Sequence, residues 1–446
     1  MTTESKNFET LALHGGRYRA DPTSGAVAVP LYQTASYQFQ DTDHASRLFA
    51  LEEVGNIYTR VQNPTQAVFE ERIAALEGGV AALAVASGQA ASAYSVLNLA
   101  EAGDNIVSST DLYGGTVTLF SQTLKQFGIE VRFVDPADPE NFRRATDNRT
   151  KAYYAETLPN PKLHVLPIQE IADIGRAIGV PLIVDNTAAP LIARPFEHGA
   201  AVVVHSATKY IGGHGTSIGG VLIDGGNFPW EKHAKRFPLL TQPDAAYHGA
   251  IWTEAKAFGP IAYILRARVK LLRDIGAAVA PFNAWQFLQG LETLPLRVKQ
   301  HNENAIKVAK YLSKHRQVDE VIFPGLQTGK LKKRADKYLK GGYGALVGFE
   351  LKGGVDAGRR FIDALKLLYH VANIGDARSL AIHPASTTHQ QLSSKEQLAA
   401  GVTPGYIRLS IGIEHADDII GDIGQALDTA GKVRTLAPKR LAKAAE

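Results

Sequence analysis

VVVHSATKYIGGHGTSIGG, residues 202–220, is the stretch on which the fold turns. It opens on three valines, whose branched side chains suit a strand buried on both faces. Ser206-Ala207-Thr208-Lys209 follows at once, placing two hydroxyls and an amine where such a strand ends, and a run of glycines begins at Gly212. A lysine so placed is a candidate for imine chemistry with a carbonyl compound. A lysine stem laid along the surface would look the same if read alone. Working outward, short apolar runs at 81–86, 105–108, 129–134, 151–156, 181–185 and 221–224 alternate with helical spacing at 68–76, 90–99, 116–127 and 168–178. That alternation predicts an α/β fold, a mostly parallel sheet flanked by helices.

Ligands of such sheets bind beyond the carboxyl ends of the strands. Ser87-Gly88-Gln89 follows the run at 81–86 and opens a helix, so its amides form a candidate anion site, or simply a helix cap. Asp185 ends Val-Pro-Leu-Ile-Val-Asp and needs a partner for a carboxylate taken from water. A pyridinium N–H, a helix N-terminus or a water would serve. An anion cradle, a carboxylate and a lysine at neighbouring strand ends are together the three handles required by pyridoxal 5'-phosphate, one each for its phosphate, ring nitrogen and aldehyde. Competing motifs fail. Gly213-His214-Gly215 lacks the third glycine of a dinucleotide fingerprint, and Gly325 to Lys330 is too short for a Walker loop. His383 and His389 flank a loop without further ligands, so no metal is expected.

Composition excludes other classes. With no cysteine, disulfides, thiolate metal sites and a cysteine nucleophile are all ruled out. This fits a cytoplasmic protein. The start MTTESKNFETLALHGG has no apolar signal region. The uncharged stretch between Glu77 and Glu101 is long enough to cross a bilayer. Ser87, Gln89, Ser92, Ser95 and Asn98 interrupt it, so a strand turning into a buried helix is expected and no membrane contact. The net charge of +4 is mild, and the basic runs Lys330 to Lys340 and Lys432 to Lys443 suit solvated surface, so no nucleic-acid partner is expected. Residues 1–62 are turn-rich and polar, an arm. Residues 63–294 form a large domain with an aromatic, glycine-rich insertion at about 225–265. Residues 295–446 form a smaller α/β domain, with helices at 297–312, 358–367 and 419–427 and strands at 345–351 and 407–411. Separate helices are expected at 284–291 and 297–312.

The 202–220 stretch resembles the signature of the Cys/Met-metabolism family of pyridoxal-phosphate enzymes. NIYTRVQNPT (56–65), VASGQAA (85–91), DLYGGT (111–116), ETLPNP (156–161), IVDNT (183–187), LQGLETLPLR (288–297), HPASTTHQQL (383–392) and GYIRLSIGIE (405–414) extend the resemblance along nearly the whole chain. It implies the type I fold of these transferases. Within the family the chain is most similar to the O-acetylhomoserine sulfhydrylase branch, through its 225–265 insertion, Gln89 and the run from Asn373 to Ser393. The implied reaction is γ-replacement of acetate by sulfide or a thiol on an amino acid, with cystathionine γ-synthase or γ-lyase activity as the alternative. The resemblance implies Lys209 as cofactor-bearing base and Asp185 as partner of the ring nitrogen. Ser87, Gly88, Gln89, Ser206 and Thr208 would cradle the phosphate, and Tyr113 would stack on the ring. Tyr58 and Arg60 would reach the phosphate of a neighbouring subunit, in a homotetramer built from two dimers. Asn160 would touch the ring hydroxyl or the substrate carboxylate. Arg408 would clamp that carboxylate and Ser379 would lie near it; Tyr58 or Tyr113 would help to move protons. The chain departs from the family at Ala201 and in Thr187-Ala188-Ala189-Pro190.

Overall fold

The computed structural model describes residues 5–431 apart from 256–258, 389 and 391–392. The basic run 432–443 and His389 therefore lie outside the described residues. Seven strands, β1 (Ala81–Val85), β2 (Asn105–Ser109), β3 (Glu130–Val134), β4 (Thr150–Glu156), β5 (Leu182–Asp185), β6 (Val202–Ser206) and β7 (Gly220–Asp224), form one sheet in the order β1-β7-β6-β5-β4-β2-β3. All point the same way except β7, which runs against both of its neighbours. A second sheet has the order β10-β11-β12-β9-β8, from β8 (Val318–Ile322), β9 (Leu346–Leu351), β10 (Tyr369–His370), β11 (Leu380–Ile382) and β12 (Tyr406–Ser410).

The first sheet is apolar on both faces, which is why its strands read as continuous hydrophobic runs. Tyr153, Leu182, Val184 and Val203 pack into one core, while Tyr154, Ile183, Val202 and Val204 pack into another. This is the two-residue alternation of side chains along a strand. The helices Pro64–Glu77 and Ile168–Ile178 supply Phe69 and Ile171 to the first core; Gly88–Leu97 supplies Ala91 and Tyr94 to the second. The insertion is part of the body: Trp230, Phe237, Leu240 and Tyr263 join the second core.

One expectation is corrected. Residues 284–291 and 297–312 are one helix, Pro281–Leu312, with Pro295 inside it. Proline removes a single backbone hydrogen bond. The packing of buried Leu291, Leu294 and Val298 on either side holds the helix together across that gap. Its first half packs on the helix Pro64–Glu77, where Phe287 meets Phe69, and on the segment after β6, and Ala305, Val308 and Leu312 pack with the strands of the second sheet. Gly290 lies against the segment after Lys209: a Cβ there would sit 2.2 Å from the Ile211 carbonyl oxygen. Arg297 ties the same place down, donating to the Tyr210 carbonyl at 2.7 Å and to that of Gly290 at 2.7 Å.

Asp224 at the end of β7 is buried, its Oδ1 accepts from the Gly226 amide, and its Oδ2 has no partner. Burial pushes its pKa up to about 7. The folded chain thus holds this proton more tightly than the unfolded chain, and stability falls as pH rises from about 4 to about 7, then levels. The loss is on the order of 4 kcal/mol. Asp224→Asn removes this slope. Melting wild type and variant across that range is expected to show the wild-type advantage shrinking as pH rises; a constant difference would refute the assignment.

Candidate functional site

Residues that follow β1, β4, β5 and β6 meet at the carboxyl edge of the large sheet, where they line a cavity of about 310 Å³. Ser87 caps the helix Gly88–Leu97, its Oγ accepting the Ala90 amide at 3.1 Å. The amides of Gly88 and Gln89 are the first of that helix, so they have no acceptor within it and lie at its positive end. Glycine is required at 88 because a Cβ would come within 2.6 Å of the Ser206 Cβ. Thr208 sits beside them, its Oγ1 accepting the Gly219 amide at 3.1 Å. All five residues expected to cradle a phosphate, Ser87, Gly88, Gln89, Ser206 and Thr208, line the cavity.

Two carboxyls face the same space. Glu156 and Asp185 end β4 and β5 as paired residues. Asp185 accepts the Thr187 amide at 2.9 Å, and burial raises its pKa. Glu156 accepts the Tyr113 amide at 2.6 Å, and burial together with the Asp185 charge holds its pKa well above the usual carboxylate range. Among the described residues no cationic side chain forms an ion pair with either. A cationic ring N–H would supply the missing partner.

On the facing wall, the Lys209 Nζ donates to the Asn373 Oδ1 at 2.7 Å. Burial, with the Arg408 charge as a second cause, lowers the Lys209 pKa, so more of the amine is free base near neutrality. Arg408 projects from β12, donates to the Asn373 carbonyl at 3.0 Å, and leaves its buried Nε without a partner. The buried Asn160 Oδ1 also lacks one. Buried polar atoms are ordinarily satisfied, so two open ones beside a cavity point to a polar ligand. An amide cradle for an anion, a carboxylate for a basic ring nitrogen and an amine for a carbonyl fit pyridoxal phosphate, with Arg408 left for a carboxylate.

Tyr113 lines the mouth, with 59% of its surface exposed. Tyr58, Arg60 and Ser379 are not among the residues that line this chain's cavity. Tyr58 is exposed and stacks under the Arg60 guanidinium at 5.4 Å, and Arg60 donates to the Arg273 carbonyl; neither lines this chain's cavity. Ser379 is fully buried with its hydroxyl committed, donating to the Glu414 carboxylate at 2.9 Å and accepting the Gly412 amide at 2.8 Å, so it does not face the cavity. Both His383 ring nitrogens bond within the chain, to Ser386 and to the Pro404 carbonyl. Asn373 and Glu156 were missed. Glu156 could have been found by the rule that found Asp185, since it too ends an apolar strand. Asn373 enters from a loop of the other sheet, where that rule has no purchase.

Comparison with known proteins agrees with this chemistry. Residues 9–428 match the family described as Cys/Met metabolism PLP-dependent enzyme. The O-acetyl-L-homoserine sulfhydrylase of Leptospira meyeri is 56% identical over 95% of this chain and 97% of its own. The homocysteine synthase of Schizosaccharomyces pombe is 51% identical over 96% of this chain and 100% of its own. A crystal structure of a putative O-acetylhomoserine (thiol)-lyase from Campylobacter jejuni, which contains N'-pyridoxyl-lysine-5'-monophosphate, superposes with a TM-score of 0.90 at 43% identity, covering 95% of this chain and 100% of that one.

Gly88→Ala is expected to weaken pyridoxal-phosphate binding by at least about tenfold, because the added carbon meets Ser206 where the cradle must close. Titration followed by ring absorbance checks this, and unchanged affinity would refute the close approach.

Proposed function

The chain belongs to the Cys/Met metabolism PLP-dependent enzyme family, and on that premise we propose that it converts O-acetyl-L-homoserine and sulfide into L-homocysteine and acetate, a step of methionine biosynthesis. The observation that carries this reading is the single cavity in which Lys209, Asp185, the Gly88 and Gln89 amides and Arg408 converge. The names of the relatives support the choice of substrate.

When bound, pyridoxal phosphate supplies an electrophilic aldehyde for the substrate amine and an electron sink for charge developing at Cα and Cβ. The Gly88 and Gln89 amides, with Ser87, Ser206 and Thr208, hold its phosphate. Asp185 would hold the ring nitrogen in its protonated form, and Tyr113 would cover the ring. Arg408 binds the substrate carboxylate through its planar guanidinium, with Asn160 beside it. The Lys209 amine, its basicity lowered by burial, takes the proton from the substrate Cα. Tyr113, at the same cavity, is a further proton carrier for the shift at Cβ that precedes loss of acetate from Cγ. Sulfide then forms the new Cγ–S bond.

Tyr58 and Arg60 lie outside this chain's cavity, which supports their serving a neighbouring subunit in a homotetramer of two dimers. We place the enzyme in the cytoplasm, beside its amino-acid substrate; among the described residues no helix is long and apolar enough to cross a membrane. In the family that this chain resembles, methionine γ-lyases usually carry a cysteine where Gly115 stands, and this chain has no cysteine. A Cβ at Gly115 would come within 2.5 Å of the Tyr113 ring, so a larger residue there would require that ring to shift.

Incubation of O-acetylhomoserine with sulfide, with cysteine and with no acceptor is expected to give homocysteine as the dominant product. Faster formation of cystathionine, or of a keto acid without acceptor, would overturn the assignment. Lys209→Ala is expected to lose the absorbance of lysine-linked cofactor and at least about a thousandfold in kcat. Normal turnover by that variant would defeat the mechanism.

A further inference from the structure

Glu156 is a titratable side chain of the cavity that the reaction above does not use. It stands beside Asp185 at the paired ends of β4 and β5. Its Oε1 accepts the Tyr113 amide, the residue that begins the helix Gly114–Thr118 at the cavity mouth. Among the described residues, the charged and titratable groups around it bring no cation to it. Asp185 comes from β5 and Asp111 from the loop after β2, and the Asp111 carboxylate is taken by Lys162 at 2.6 Å. Tyr154 is on its own strand. Lys209 donates to the Asn373 side chain, and Arg408 to the Asn373 carbonyl.

The cofactor has one cationic ring nitrogen and an anionic phosphate. Asp185 is placed to take the cation. A second ionised carboxylate in the same dry space would face only that pair and the phosphate, an unpaired buried charge of the kind proteins avoid. Burial and the Asp185 charge already hold the Glu156 proton on.

We propose that Glu156 is a positioning residue that works as an uncharged acid, anchoring Tyr113 through its backbone amide and leaving Asp185 as the single negative charge that meets the cofactor ring. This rests on the cofactor assignment above. The carbonyl oxygen of the neutral carboxyl receives the Tyr113 N–H, and the proton stays on the other oxygen. Glutamine reproduces the first function and cannot ionise; alanine reproduces neither.

Wild type, Glu156→Gln and Glu156→Ala holoenzymes are dialysed at pH values from about 6 to about 10, and retained cofactor is read by absorbance, with circular dichroism reporting the fold. Wild-type affinity is expected to fall as pH rises through the ionisation of Glu156, by up to about tenfold per pH unit, and Glu156→Gln is expected to lack that limb. Glu156→Ala is expected to lose about tenfold near neutrality, as Tyr113 loses its acceptor, with glutamine restoring most of the loss. The role of Glu156 is overturned if the glutamine variant keeps the wild-type limb, or if it loses as much as alanine near neutrality. Wild type that retained no cofactor at any pH would instead overturn the cofactor assignment itself.

Discussion

An amine and two carboxyl groups share one cavity, and none of them is neutralised by an opposite charge of the chain among the described residues. Desolvation pushes the amine toward its neutral base and the carboxyls toward their neutral acids. Keeping such groups out of water is expensive unless a partner arrives. The surrounding structure accordingly leaves them little freedom. Glu156 and Asp185 are fixed by strand pairing, and each accepts a backbone amide. The turn carrying Lys209 is held between Gly290 and Arg297 of one long helix.

That helix has a second task. Its first half packs on the helix Pro64–Glu77 and the segment after β6, and its second half meets the small sheet. The cavity draws on both: the turn Ser87-Gly88-Gln89, Asp185 and Lys209 belong to the large sheet, whereas Arg408 and Asn373 come from the smaller one and its loop. A continuous rod between the two sheets fixes the distance from Asp185 and Lys209 to Arg408 and Asn373.

Much of this was legible in the chain. The large sheet could be read because its strands are buried on both faces and leave unbroken apolar runs, and strand-end residues such as Ser87, Asp185 and Lys209 follow from it by one rule. The small sheet was harder. β8 carries Asp319 and Glu320 exposed, and β10 is two exposed residues, so neither leaves an apolar signal. β11 is only three residues long. Separate helices were expected at 284–291 and 297–312, and the packing that joins them across Pro295 is not local. Ser379 matched a family pattern, but the acid that claims its hydroxyl, Glu414, stands thirty-five positions away in sequence.

Asn373 offers its side-chain oxygen to Lys209 and its backbone oxygen to Arg408. Lys209 and Arg408 are thereby gauged from a single α-carbon, and the residues joining β10 to β11 act as a fixed ruler. Insertions are usually absorbed by loops of this kind at small cost. Here one extra residue would displace both tools at once, so a segment that looks like tolerant surface connection is among the least extensible in the chain.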